Sequence, residues 1–230
     1  MSPKVTHDYI TDFTSDFELE PTSTALIIVD MQYATASRQG GLGKWLQEQG
    51  KEDLCHYRFD RIENVVLPTI KRLLAFFRDN QLAIIYLTMG SRSRDFSDAL
   101  PHLKTLFRSS SNYVGSPQHR IIEEIKPQEE IVVNKTTIGA FSSTDLDSIL
   151  WSQGLTYLLF AGVSTNMCVE TTARDAADRG FRCVLVEDGC GASAPSYHDA
   201  AITNFQRLFG KVKTSAEVIA ELTAKITAQS

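Results

Sequence analysis

Asp30, Lys135 and Cys168 carry three kinds of side chain that together can perform nucleophilic catalysis. Asp30 and Lys135 each end a short apolar run, and Cys168 lies shortly after another such run. A carboxylate supplies a base, an ammonium group supplies an electrostatic partner, and a thiol supplies a nucleophile. A carboxylate at the end of an apolar strand is costly to desolvate unless a cation lies close, and Lys135 is the candidate cation.

Cys168 is predicted to lie in the first turn of a helix that follows a tight turn at residues 162–166. Backbone N–H groups and the helix dipole favour an anion there, which predicts a lowered thiol pKa and a thiolate available near neutral pH. The alternative is a buried, inert cysteine, which is the state expected for Cys183 inside its predicted strand. We expect Cys168 to be the nucleophile.

Five short apolar runs are predicted to be strands of a parallel sheet, because strands covered on both faces are almost continuously apolar. Helical patterns lie between them, so the chain belongs to the α/β class. The strands are predicted over residues 25–29, 82–87, 130–133, 156–160 and 181–186, and the helices over 62–79, 144–151, 167–179, 199–208 and 214–226. Ligands bind beyond the carboxyl ends of such strands, where the three candidate residues lie.

The remaining organisation predicts one domain over residues 1–230, with residues 1–22 as an N-terminal extension, because no repeat or linker interrupts the chain. Thr214 and Glu217 form a capping-box pattern at the start of the last helix. Residues 31–60 and 89–118 are predicted to be long irregular stretches, and loops of that length are usually functional.

Composition excludes several classes of protein. The 28 acidic and 23 Lys or Arg residues give a net charge of −5, which argues against binding to nucleic acid. No apolar run approaches the roughly 20 residues that span a bilayer, and no targeting segment is apparent, so a cytoplasmic location is expected. The four cysteines show no CxxC spacing, which argues against disulfides and a structural zinc site.

Three motifs together resemble the isochorismatase-like cysteine hydrolases. They are ALIIVDMQ at residues 25–32, NK at 134–135 followed by GAF at 139–141, and GVSTNMC at 162–168. The resemblance runs from about residue 24 to residue 191. It implies a three-layer α/β/α fold with about six mostly parallel strands in the order 3-2-1-4-5-6, and a homo-oligomer, either a tetramer or a dimer.

The resemblance also implies a mechanism. Asp30 takes the proton of Cys168, the sulfur attacks an amide or ureide carbonyl, and Lys135 stabilises the charge and orients Asp30. A thioester forms and water hydrolyses it, with no cofactor. Backbone N–H groups of Cys168 and of the Ser164 to Asn166 turn, which includes Thr165, are implied to form the oxyanion hole. A cis peptide bond is expected at Val163–Ser164.

Candidate substrate-binding residues are less distinctive. Gln32, Tyr33 and Phe141 adjoin the motifs and can offer an amide contact and apolar walls to a small planar ligand. Arg92 follows the second strand and can pair with a substrate carboxylate, although a solvated loop is the alternative reading. Gln206 lies where some relatives place a substrate-binding Gln, with different local spacing. None of His7, His102, His119 and His198 is assigned a catalytic role, because their spacing shows no pairing.

The family contains enzymes with different substrates, and three functions remain open. The leading prediction is a metal-free amidohydrolase that cleaves a biuret-, triuret-, ureidoacrylate- or carbamoyl-type substrate and releases ammonia. A nicotinamidase-like or isochorismatase-type hydrolase is the alternative. Nicotinamidases carry an Asp-x-His pattern that holds a metal, and the polar cluster here, at Asp53, Cys55, His56 and Asp60, does not match it. A catalytically idle, oligomeric binding protein is the alternative of another class.

Overall fold

A six-stranded parallel sheet organises the protein, which is described here by a computed structural model covering residues 9–229. The strands are β1 (Thr24–Val29), β2 (Ala83–Met89), β3 (Ile131–Lys135), β4 (Tyr157–Val163), β5 (Arg182–Gly191) and β6 (Gly210–Lys213). Their order is β3-β2-β1-β4-β5-β6, and every neighbouring pair is parallel. The predicted strand order is therefore confirmed.

Nine α-helices connect and cover the strands within the described residues. They are α1 (Tyr33–Ala36), α2 (Gly41–Glu48), α3 (His56–Arg61), α4 (Leu67–Asp79), α5 (Pro101–Ser109), α6 (Leu146–Ser152), α7 (Glu170–Asp178), α8 (Pro195–Gln206) and α9 (Ser215–Gln229). Single π-helical turns at Ile62–Val66 and Thr165–Val169 precede α4 and α7. Both turns lead into regular helix without a break.

The two faces of the sheet are covered by different helices. Ala25, Ile27 and Val29 of β1 pack on one face with residues of α5, α6, α7 and α8. Leu26 and Ile28 pack on the opposite face with residues of α3, α4 and α9. Successive side chains of a strand point to opposite faces, so an unbroken apolar run fills both cores. The predicted three-layer α/β/α arrangement is confirmed.

The structure differs from the predicted elements in two ways. The last strand, β6, has only four residues, and Lys211, Val212 and Lys213 carry too little apolar character to be recognised as part of a sheet, so the sequence pattern did not place it. Both stretches predicted to be irregular also contain helix: α1, α2 and all but the last residue of α3 fall within residues 31–60, and α5 falls within 89–118. The irregular parts are correspondingly shorter than predicted.

The capping box at the last helix has the predicted form. The Thr214 backbone N–H donates to Glu217 Oε2 at 2.7 Å, and the Glu217 N–H donates to Thr214 Oγ1 at 3.3 Å. The described part of the N-terminal extension packs on the sheet, with the Phe17 ring 5.9 Å from that of Tyr157. Between residues 9 and 229, no helix has the length and apolar character needed to cross a bilayer.

Candidate active site

Asp30, Lys135 and Cys168 meet at the carboxyl edge of the sheet. Lys135 Nζ donates to Asp30 Oδ2 at 2.9 Å and to the Thr137 carbonyl oxygen at 3.2 Å. Strand β2 lies between β3 and β1, so the lysine side chain has to cross the end of β2, where Met89 pairs with Lys135. The length of the lysine side chain is what brings the two charges into contact.

Asp30 is held in a conformation that leaves one carboxylate oxygen open. Its φ of 51° turns the chain sharply after β1, a left-handed conformation that Asp tolerates better than most residues. Its side chain is 1% exposed and Lys135 is 0% exposed, so the pair is fully buried. Oδ2 receives the lysine, whereas buried Oδ1 has no hydrogen-bond partner among residues 9–229. Oδ1 is therefore free to receive a proton.

Cys168 reaches this edge because β4 approaches β1 very closely. Gly162 has a φ of 131°, and a Cβ there would lie 2.1 Å from the Val29 carbonyl oxygen, so only glycine fits. The next peptide bond, Val163–Ser164, is cis, as expected. Cys168 follows within the π-helical turn Thr165–Val169 and is 4% exposed, with its Sγ atom 3.9 Å from Met89 Sδ.

The electrostatics of the thiol differ from the sequence-based expectation. Burial, reinforced by the negative charge of Asp30 and opposed by Lys135, raises the pKa of Cys168 to about 12. The predicted lowering of this pKa was wrong, because the helix start was visible in the sequence and the depth of burial was not. Burial also works to lower the pKa of Lys135, but the charges of Asp30 and Cys168 outweigh it and raise that pKa. The resting site therefore holds a thiol beside a charged Lys–Asp pair.

The two hydroxyl groups of the predicted oxyanion turn are engaged by distant side chains. Ser164 Oγ accepts a hydrogen bond of 2.6 Å from Arg58 Nη1. Thr165 Oγ1 lies 2.9 Å from His198 Nδ1. These contacts fix the turn, and they leave the predicted oxyanion role to its backbone N–H groups.

Gln32 and Phe141 both lie close to the carboxyl edge of the sheet, and the side chains of both already contact other residues of the protein. The Gln32 side-chain amide donates to the His119 carbonyl oxygen at 2.7 Å and accepts from the Met89 N–H at 2.8 Å. Phe141 belongs to the same buried cluster as Cys168, and its ring centroid lies 6.2 Å from that of Phe181. Both side chains therefore support the walls of the site, and substrate contact by either stays a prediction.

None of the other three predicted substrate-binding residues hydrogen-bonds to the triad within residues 9–229, and substrate contact by them stays a prediction. The Tyr33 hydroxyl accepts from the Glu123 N–H at 3.3 Å and lines a surface cleft. Arg92 is exposed at the catalytic edge, where its Nη2 donates to the Ser143 carbonyl oxygen at 3.0 Å. Gln206 ends α8 beside Gly210, the start of β6, and so lies at the opposite edge of the sheet.

Two residues near the site were not singled out by the sequence pattern. Arg58 of α3 contacts Ser164 and is buried. His119 Nε2 lies 2.7 Å from Asn134 Oδ1, and burial lowers the pKa of His119, so the ring is neutral near pH 7. Neither residue follows a recognisable motif: Arg58 belongs to the stretch 31–60 that was predicted to be irregular, and His119 directly follows the stretch 89–118.

Comparison with known proteins identifies the family. The model of the Isochorismatase domain family matches residues 24–217, most of the chain. The chain belongs to the isochorismatase family. It is 32% identical over 211 residues to the ureidoacrylate amidohydrolase RutB of Pantoea ananatis, covering 84% of this chain and 80% of that protein. It is 28% identical over 215 residues to RutB of Caulobacter segnis, covering 86% and 85%.

Solved structures agree with this membership of the isochorismatase family. A cysteine hydrolase from Pseudomonas syringae pv. phaseolicola superimposes with a TM-score of 0.78 at 26% identity, covering 91% of this chain and 97% of that one. An N-carbamoylsarcosine amidase from Thermoplasma acidophilum shares the fold, with a TM-score of 0.63 at 24% identity, covering 84% and 96%. The predicted hydrolase class is therefore confirmed.

The metal-binding pattern of some members of the isochorismatase family has no counterpart in the described residues. Between residues 9 and 229, no three His, Cys, Asp or Glu side chains are grouped so that they could hold a metal ion. His56 Nδ1 and Asp53 Oδ1 lie 3.7 Å apart on an exposed turn. Cys55 is buried beside them and its thiol contacts the Glu52 carbonyl oxygen at 3.1 Å.

Proposed function

We propose that this protein is a cysteine-dependent amidohydrolase that cleaves a C–N bond of a small amide or ureide, with ureidoacrylate-type substrates first among them. The observation that carries the proposal is the buried Lys135–Asp30 ion pair beside the Cys168 thiol, with Asp30 Oδ1 left without a partner among the described residues. The ureidoacrylate type comes from the names of the relatives that match over most of the chain.

In the acylation step, Asp30 Oδ1 accepts the Cys168 proton while Sγ forms a bond to the substrate carbonyl carbon. The carbonyl π electrons move to oxygen, and backbone N–H groups of the turn that includes Ser164 stabilise that oxyanion. When the intermediate collapses, the C–N bond breaks and protonated Asp30 gives its proton to the leaving nitrogen. Ammonia or an amine departs, and Cys168 is left as a thioester.

In the deacylation step, Asp30 takes a proton from water, which attacks the thioester carbonyl. The C–S bond then breaks, and the sulfur recovers the proton from Asp30. Lys135 keeps its charge throughout, so the carboxylate always faces a fixed cation. Because the resting thiol has a raised pKa, the reaction depends on this base rather than on a preformed thiolate.

The alternative functions, another type of hydrolase or an idle binding protein, would require different residues at this site. Relatives that cleave the vinyl ether of isochorismate use the Asp and lack the cysteine, so the presence of Cys168 favours amide chemistry. A nicotinamidase-like reaction remains the alternative within the enzymes. An idle binding protein would have no reason to keep a charged pair buried against a thiol, which is costly without a task.

The first experiment is an assay of ammonia release from ureidoacrylate, biuret, triuret, carbamoylsarcosine, maleamate and nicotinamide. The Cys168→Ala variant serves as the blank. We expect a ureide to be hydrolysed by the native protein alone, and at an unchanged rate after treatment with a chelator. Ammonia release by the variant at the native rate would overturn the mechanism, and a rate restored by added metal would overturn the proposal of metal-free chemistry.

Two further proposals follow from the resemblance rather than from the site. The chain assembles into a dimer or tetramer, which light scattering of the 25.6 kDa chain will measure. A monomeric mass at working concentration would contradict this. A cytoplasmic location fits the reduced state of the four cysteines, all of them free.

A further inference from the structure

Arg58 is a buried cation that has no carboxylate partner in the part of the chain that the structure describes. It is 7% exposed, and its guanidinium donates to Ser164 Oγ at 2.6 Å and to the Thr35 carbonyl oxygen at 2.8 Å. Its Nε is buried without a hydrogen-bond partner, and no carboxylate between residues 9 and 229 contacts the guanidinium. By contrast, Arg38 at the surface is paired with both Asp60 and Glu63.

Burying a guanidinium without a partner costs free energy of desolvation. A negative charge should therefore form near it during the reaction. The groups whose negative charge, once they are ionised, would stabilise the Arg58 cation are Cys168, Cys55 and Asp30. Two of these three belong to the active site. Burial lowers the pKa of Arg58 even so, but Arg remains protonated in proteins, and the positive charge is therefore permanent.

The two oxygen atoms that Arg58 contacts lie on the two segments that carry the base and the nucleophile. Ser164 begins the turn that presents Cys168. Thr35 lies just after Asp30, and its hydroxyl donates to the Asp30 carbonyl oxygen. A rigid, planar donor group can hold both segments at once, which an ammonium group at one point cannot do.

We propose that Arg58 is a positioning residue of this active site, whose charge favours the Cys168 thiolate and whose two hydrogen bonds hold the turns after β1 and β4 in register. Removal of its charge leaves the thiolate less stable and the thiol less reactive. Removal of its fork geometry loosens the turns while the charge remains. The part of the inference that concerns turnover rests on the proposed function, and the part that concerns thiol reactivity does not.

The test is the rate at which iodoacetamide alkylates Cys168 at pH 9, measured by mass spectrometry of the peptide that contains it. In this reaction the sulfur forms a bond to the methylene carbon, iodide leaves, and the thiol proton goes to solvent. We expect Arg58→Met to react about tenfold more slowly, as for one unit of thiol pKa. Arg58→Lys, which keeps the charge, should react within about threefold of the native rate.

Arg38→Met is the control. Arg38 pairs with Asp60 at the end of the helix that carries Arg58 and with Glu63 just after it, at 2.6 and 2.9 Å, and none of its hydrogen bonds among residues 9–229 reaches the turn that carries Cys168. We expect its alkylation rate to stay near the native value. Should Arg58→Met alkylate as fast as the native protein, or Arg58→Lys as slowly as Arg58→Met, the charge has no such role and the inference is wrong.

Two additional variants keep the inference testable even when Arg58→Met does not fold. If circular dichroism shows that Arg58→Met is unfolded, Arg58→Gln supplies a neutral side chain that can still hydrogen-bond, and the same tenfold loss is expected. Ser164→Ala leaves the guanidinium in place and deletes one acceptor. With a substrate from the panel it should lower kcat about tenfold with little change in KM, and an unchanged kcat would remove the positioning role. If no panel substrate is hydrolysed, alkylation still decides the inference.

Discussion

A thiol with a raised pKa attacks poorly until a base removes its proton. In this site the proposed base is the Asp30 carboxylate, with one oxygen bonded to Lys135 and the other without a partner among residues 9–229, and all three groups are almost completely buried. Burial strengthens the lysine–carboxylate attraction and at the same time suppresses the free thiolate. The proposed mechanism therefore requires Asp30 to take the proton of Cys168 before the sulfur can attack.

Replacement of Cys168 by Ala should abolish hydrolysis of any panel substrate and leave the fold intact, because it removes the nucleophile and little volume. Cys183→Ala is the control, since Cys183 is buried in the apolar core within β5 and its thiol hydrogen-bonds to the Phe181 carbonyl oxygen. We expect the control to keep full kcat with a loss of about 1 kcal/mol in the free energy of unfolding. Equal loss of activity in both variants would assign the effect to packing.

Replacement of Asp30 by Asn should lower kcat by about a thousandfold, within the range that general acid–base catalysis contributes. The amide has nearly the same shape but cannot accept the thiol proton. Asp60→Asn is the control, because Asp60 is an exposed partner of Arg38 and should have no effect on kcat. Steady-state kinetics on the best panel substrate check both. Full activity of Asp30→Asn would exclude Asp30 as the base.

The meeting of Asp30, Lys135 and Cys168 could be predicted from the sequence because each residue ends or closely follows an apolar strand, and parallel strands end at one edge. Their catalytic roles stay a prediction. The position of Arg58 could not be predicted, since it lies in a stretch that has no strand or helix signal of its own. The hydrogen bonds of the Gln32 side chain could not be predicted either. Its amide partners are the backbone groups of Met89 and His119, which only the folded chain brings together.

At the scale of elements, the close approach of β4 to β1 determines the position of Cys168. Gly162 pairs with Val29 in the register of the two strands and has no room for a side chain. The cis peptide and the π-helical turn follow at once and turn the chain over the strand ends. The strand and turn therefore act as one unit that sets the depth of Cys168.

The Gly162→Ala variant should lose at least about 3 kcal/mol of unfolding free energy, because its Cβ collides with backbone rather than with a mobile side chain. Gly180→Ala is the matched control: its φ of 91° is also positive, but nothing lies within 4 Å of the added Cβ. We expect it to lose only about 1 kcal/mol through backbone strain. Urea denaturation measures both, and similar losses would contradict the close approach of β4 to β1.

Five of the six strands could be predicted because their apolar runs are long enough to fill both faces of the sheet. The last strand could not, since β6 is a short edge strand with lysines on either side of Val212. The helices within residues 31–60 and 89–118 were missed for a related reason. Tertiary packing against the sheet stabilises them more than their own apolar pattern does.

At the scale of the whole molecule, one buried histidine links three layers of structure. Arg61 of α3 donates to His198 Nε2 at 3.1 Å, so Nδ1 carries the ring proton and donates to Thr165 at 2.9 Å. Burial, together with the charge of Arg61, lowers the pKa of His198 to about 4. Protonation of Nε2 would break the contact with Arg61, so the folded state requires the neutral ring.

The pH dependence of stability follows from this shift. The unfolded chain binds a proton at its ordinary histidine pKa of 6.5, whereas the folded chain does so only near 4. The contribution of neutral His198 to the free energy of unfolding is therefore fully present above pH 6.5. It is lost as the pH falls, by about 2 kcal/mol at pH 5. Urea denaturation at pH 7.5 and pH 5 should show this loss in the native protein and not in His198→Gln. An equal loss in both would attribute it to other groups.

The separation of Asp30 and Lys135 by 105 residues along the chain has a consequence for the life of the protein. Cys168 comes later still, so a nascent chain cannot hold all three groups until β1, β2, β3, β4 and the turn after β4 have been made. No segment that ends before residue 168 contains the proposed triad. The proposed chemistry therefore depends on the long-range pairing of these four strands and not on any local segment.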